Sequence, residues 1–154
     1  MTTIPLLFTA LEYFTCKKTA TNKSGYTHEN YLCVLSTPDL YIKFKEILVA
    51  TYCLENTLFY EDMKEIARLF PNPVANDMNY MTNVRKLIEK YVEIGSPCEL
   101  NIPDSLRSKL LNVASATVAS ALLSEVLVEV HNILFTNSYP RFLIKYHLLL
   151  ESRS

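Results

Sequence analysis

An all-α domain is the fold class this sequence predicts, on three observations. Only two glycines, Gly25 and Gly95, occur in 154 residues. No run of alternating apolar and polar residues is bounded by turn residues, so a sheet has little support. Apolar side chains recur instead at steps of three and four, the spacing that puts them on one face of a helix.

The elements follow in chain order. Residues 4–11 are apolar, carry no basic residue ahead of them and are closed by Glu12, which reads as a packing helix and not a secretory leader. Residues 12–30 have the weakest patterning, and with Lys17, Lys18 and Gly25 they read as a loop. Leu40, Phe44, Ile47, Leu48 and Tyr52 then mark an amphipathic helix started by Pro38 and Asp39. Leu58, Phe59, Met63, Ile66, Leu69 and Phe70 mark a second, stopped by Pro71-Asn72-Pro73, whose rings remove amide donors. Asp77 is placed to cap a third, with Met78, Met81, Val84, Leu87, Ile88, Tyr91 and Val92 as its buried stripe and Gly95 as its stop.

Beyond a loop at 96–103, Asp104 is expected to cap a helix holding Leu106, Leu110 and Leu111, which runs into the small residues 113–121. Leu123, Val126, Leu127, Val130, Ile133 and Leu134 mark the next helix, and Tyr139, Phe142, Leu143, Tyr146, Leu149 and Leu150 the last. Short connections make neighbouring helices antiparallel. On that rule the loops at 53–56, 95–104 and 136–138 share one end, opposite residues 71–76 and a junction near Ala121.

Composition narrows the function. Hydrophobic residues at 49% and charged residues at 20% are enough for one ordinary core without staples. A net charge of -1 with no Lys/Arg cluster disfavours nucleic acid. Cys16, Cys33, Cys53 and Cys98 form no Cys-x-x-Cys pair, which fits reduced thiols in a cytosolic compartment. The most membrane-like run, residues 110–124, is shorter than the roughly 20 apolar residues a span needs, and it contains Asn112.

Chemistry of its own finds no support in the chain. Two isolated glycines cannot cradle a phosphate, and His28, His131 and His147 lack any zinc-binding spacing. His131 reads as a hydrogen-bonded structural histidine, and Cys98 beside Glu99 as a loop thiol, since no histidine is local. Neither a cofactor nor a metal is expected. What the shared end offers is Glu55, Asn56, Glu99, Asn101, Asp104, Asn137, Ser138 and Arg141, groups that hydrogen-bond. Taken singly, Asp104 and Asn137 read as caps, Glu55 as a first-turn dipole partner and Asn101 as a turn residue.

Three strings in order give the set a meaning. Phe44-Lys45-Glu46-Ile47-Leu48, followed by Tyr52-Cys53-Leu54-Glu55-Asn56-Thr57-Leu58-Phe59-Tyr60, is similar to the Phe-x-x-Phe-Leu and Ser-x-Glu-Asn-x-x-Phe-Trp stretch of the regulator of G-protein signalling (RGS) domain. Ser96-Pro97-Cys98-Glu99-Leu100-Asn101-Ile102, with Arg107 downstream, resembles that family's Glu-Val-Asn-Leu loop and following arginine. Asn137-Ser138-Tyr139-Pro140-Arg141-Phe142-Leu143 resembles its Asp-Ser-Tyr-x-Arg-Phe-Leu. The resemblance covers residues 30–150, leaving 1–29 as an N-terminal helix and irregular extension.

The resemblance implies a nine-helix fold with an antiparallel four-helix-bundle subdomain, acting as a GTPase activator for heterotrimeric G-protein α subunits. It implies a monomer in the cytosol, recruited to the inner face of the plasma membrane, that grips the partner's switch segments. Asn101 would reach between those segments, Glu55 and Asn56 would hydrogen-bond them, Ile133 would add apolar contact, and Asn137 with Arg141 would frame the first switch. Cys53, in place of the family serine, and Asp104 are weaker members of the set. Asn137 keeps an acceptor where the family usually carries an aspartate charge. The alternative is an RGS-homology scaffold that binds a partner without stimulating hydrolysis.

Overall fold

The computed structural model describes residues 25–151, with side chains as far as Tyr146. The helix expected at residues 4–11 lies outside the described residues. Among those described, every regular element is helical, as the apolar spacing requires: seven α-helices and two π-helical turns. They divide into two compact units, one spanning Glu55–Val130 and the other formed by residues 25–54 and 131–151.

The second unit opens on α1 (His28–Ser36), a helix that the weak patterning of residues 12–30 had hidden. Thr27 starts it, its hydroxyl accepting from the Asn30 amide at 3.2 Å. Next comes α2 (Pro38–Ala50), which buries Leu40, Phe44, Ile47 and Leu48 behind a proline first turn. Tyr52 does not belong to that stripe: it lies past the helix end and is 93% exposed. The core of this unit is aromatic, with Phe44 set edge-on to Tyr31 and to Phe142 at centroid distances of 6.3 and 5.8 Å.

The first unit takes in nearly all of α3 (Leu54–Leu69), then α4 (Met78–Leu87), a π turn at Ile88–Val92, α5 (Asp104–Leu111) and the greater part of α6 (Ala116–Ile133). Its four α-helices are joined by connections at 70–77, 93–103 (after the π turn) and 112–115. Asp77 caps α4 as expected, accepting from the Tyr80 amide at 2.9 Å. Met78, assigned to the buried stripe, is instead 67% exposed, because it sits at the first helical position on the solvent side. The chain leaves its helix at Glu93, and Gly95 follows with φ of 78° in the turn beyond. A Cβ at Gly95 would meet nothing within 4 Å, so the backbone angle alone asks for glycine.

Two boundaries differ from expectation. The break between α5 and α6 lies at residues 112–115, not near Ala121, and the Ala116 amide is tied to the Ala75 carbonyl at 3.2 Å. Small residues tolerate either conformation, so periodicity could not place it. The loop expected at 136–138 is absent: α6 passes into a π turn at Leu134–Ser138 and then into α7 (Tyr139–Glu151). One of the reversals used to bring three loops together is therefore missing. By length and composition the stretch Ala116–Tyr146 could cross a membrane. Its Leu122, Leu123, Val126, Leu127, Val130 and Leu134 are buried at helical spacing, the pattern of a core helix.

Candidate functional site

The most constructed polar element lies in the first unit. Leu100 and Ile102 are buried while Asn101 between them is exposed, an alternation that turns the asparagine outward. The π turn supplies the anchor, because its carbonyls are free to accept from the loop. The Leu100 amide donates to the Tyr91 carbonyl at 2.9 Å and the Cys98 amide to the Lys90 carbonyl at 3.1 Å. Buried Arg107 donates to the Val92 carbonyl and, at 3.1 Å, to the Leu100 carbonyl. Glu99 closes the loop, one oxygen 3.4 Å from the Arg107 guanidinium and the other accepting from the Gly95 amide at 2.8 Å.

The same π turn is braced on α3. Lys90 and the Tyr91 hydroxyl both donate to one Asp62 oxygen, at 2.8 and 2.7 Å, and Phe59 meets the Tyr91 ring edge-on at 5.3 Å. Burial, then the Asp62 carboxylate, hold the Tyr91 phenol well above its usual range, so it stays a donor. Phe59 and Asp62 follow Glu55 and Asn56 along α3. The Asn101 loop and the start of α3 are thus parts of one braced unit.

At that start, Glu55 is half-buried and Asn56 is only 4% exposed. The Asn56 amide donates to Glu55 Oε1 at 3.2 Å. Asn56 is thus buried beside the glutamate to which its amide donates. Asp104 does not cap α5. Pro103 holds the cap position without a side-chain bond, and Asp104 is the exposed first helical residue, where its charge suits the helix dipole.

Between α2 and α3, Cys53 is half-buried, its thiol donating to the Thr51 carbonyl at 3.3 Å. Tyr52 just before it has φ of 56°, a left-handed conformation unfavourable to residues with a Cβ. Its amide and that of Cys53 donate to the Val49 and Leu48 carbonyls at 3.3 and 2.9 Å, which ends α2 the way a glycine usually does. A tyrosine held in this strained position and almost fully exposed is a functional candidate that the helical spacing had absorbed. Only the missing glycine at a helix end could have signalled it.

In the second unit, Ile133 ends α6 half-exposed, Asn137 is exposed on the π turn, and Arg141 is exposed on the first turns of α7. The Asn137 oxygen meets the Thr136 hydroxyl at 3.5 Å, a long contact, and Asn137 caps no helix. Behind them the turn is fixed by rings. Phe135 stacks with Tyr26 at 4.7 Å and with His28 at 3.9 Å, and the Tyr139 hydroxyl donates to the Gly25 carbonyl at 2.7 Å.

His131, in the same unit, pairs with the Tyr31 hydroxyl at 2.8 Å, the structural role expected of it. Burial, with His28 nearby, pushes its pKa down to about 4, so the ring is neutral at pH 7. Among the described residues no group of three His, Cys, Asp or Glu side chains is placed to hold a metal ion. The exposed groups are amides, carboxylates and a guanidinium on loops and turns. Groups of that kind can hydrogen-bond to a polar surface, and every regular element that carries them among the described residues is helical.

The family of the chain is defined by sequence. The chain belongs to the regulator of G protein signaling domain family, whose model matches residues 30–146, well over half its length. No curated protein matches it. The family is regulatory, with no bond chemistry of its own, and it ties this domain to G-protein signalling in general.

Proposed function

We propose that this domain binds the switch segments of a heterotrimeric G-protein α subunit and accelerates its GTP hydrolysis. The observation that carries the proposal is Asn101, turned outward between two buried neighbours on a loop tied down on both sides. An amide fixed in that way can hold a partner's groups without first being ordered, so little entropy is lost on binding. The α subunit brings its own arginine and water-orienting glutamine, and this domain would add binding that is strongest in the transition state.

Glu55, supported by Asn56, would accept from switch amides. Asn101 would orient the catalytic glutamine, Tyr52 would add an aromatic contact, and Asn137 with Arg141 and Ile133 would meet the first switch. Cys53 and Asp104 would lie at the margin. The domain would act as a monomer in the cytosol, meeting its partner at the membrane face where that partner resides. A scaffold reading draws on Asn137, whose neutral amide brings no charge of its own to the exposed Arg141.

Single-turnover GTP hydrolysis by a panel of α subunits tests the proposal. The domain is expected to accelerate at least one of them, and Asn101→Ala to lose about 2–4 kcal/mol of that effect, on the scale of deleting one preorganised donor. Its stability should change by no more than about 0.5 kcal/mol, because Asn101 is exposed. Acceleration of none would leave the scaffold reading.

A further inference from the structure

Beyond the residues expected to touch a partner, the Asn101 loop carries a device that no contact with a partner requires. Glu99 spans the loop with both oxygens, one toward the Gly95 amide at its start and one toward Arg107 on α5. Arg107 in turn reaches the Val92 carbonyl where the loop leaves the π turn and the Leu100 carbonyl next to Asn101. The guanidinium is buried and exposed Glu99 lies at its rim. A buried cation is tolerated only when its donors are used, and here each use fixes a point of one loop.

We propose that Glu99 and Arg107 are positioning residues: a clamp that sets the Asn101 amide in its binding geometry before any partner arrives. The clamp encloses the loop from Val92 to Leu100, so the backbone leading into Asn101 is held up to the residue just before it. Leu100 and Ile102 then decide which way the asparagine faces. Glu99 touches no partner in this scheme and acts only through Asn101. The inference deepens the proposed function, yet its first consequence is a property of the free domain.

Two variants separate the parts. Glu99→Gln keeps the shape and removes the charge, and Arg107→Lys keeps the charge and removes the planar fork. In the full chain without partner, amide hydrogen exchange at Gly95 and Leu100 is expected to speed at least tenfold in both variants. Amides of α1 should stay within twofold of the parent, which a general loss of stability would not allow. Unchanged exchange at Gly95 and Leu100 would overturn the clamp. So would loss of the entire fold, which would make the pair a core element and not a loop device.

A double-mutant cycle tests the route of action. On an α subunit carrying GDP and a planar fluoride mimic of the transferring phosphoryl, Glu99→Gln should weaken binding at least fivefold. In an Asn101→Ala background it should weaken binding less than twofold. Equal weakening in both backgrounds would show that Glu99 does not work through Asn101. If the parent domain binds no α subunit, the proposed function fails, while the exchange measurement still decides the clamp.

Discussion

Asn101 in the first unit rides a loop held by a glutamate, an arginine and the carbonyls of a π turn. Asn137 and Arg141 in the second unit ride a π turn and a helix whose inner faces are packed into rings: Tyr26, His28, Phe135, Tyr139 and Phe142. Hydrogen bonds to charged groups fix direction, because they fail when the geometry is off. Ring packing fixes position through buried area and tolerates small rotations. The first arrangement suits a group that must point at one atom, and the second suits groups that frame a wider contact.

The difference can be broken most severely from the second unit. Phe142 is fully buried between Phe44 and Tyr139, and Phe142→Ala should cost about 3–5 kcal/mol in a denaturant titration. A loss below about 1 kcal/mol would mean that the rings are not the support they resemble.

A smaller effect comes from pH and belongs to the same unit, since the sequence from Glu55 to Val130 contains no histidine. His131 is held near pKa 4 when folded against the ordinary value of 6.5. Between those values the unfolded chain binds the extra proton, so stability is full above about pH 6.5 and falls as the pH drops toward 4. From pH 7 to 5 the loss should be up to about 2 kcal/mol. His131→Gln, compared by urea unfolding at the two pH values, should remove most of that slope. An unchanged slope would place the titration elsewhere.

Smallest is the strain at Tyr52. Replacing it with glycine at φ of 56° should stabilise the fold by up to about 1 kcal/mol. If Tyr52 is an aromatic contact, the same variant should weaken α-subunit binding, so stability and affinity would move in opposite directions. A variant with neither change would remove Tyr52 from the set.

Much of the fold was legible in advance because α2, α3, α4 and α7 each keep a clear apolar stripe. The helix α1 was not, since Thr27 gives a cap but the nine residues that follow supply only a short stripe. The π turns leave no mark on spacing, as each inserts a single residue per turn, and one of them erased the loop expected at 136–138. Among the candidate site residues, Asn101 and Arg141 are exposed. Asn56 turned inward because the helix register, fixed by Phe59, Tyr60 and Met63, puts it on the core side. Glu99 and Arg107 could be read only as a motif, because what joins them is tertiary.

The most direct test of the central claim is the affinity of this domain for one α subunit in two states, GDP alone and GDP with a planar fluoride phosphoryl mimic. Preferential binding to the mimic by at least tenfold, lost on Asn101→Ala, is the predicted result. Equal affinity for the two states would contradict it.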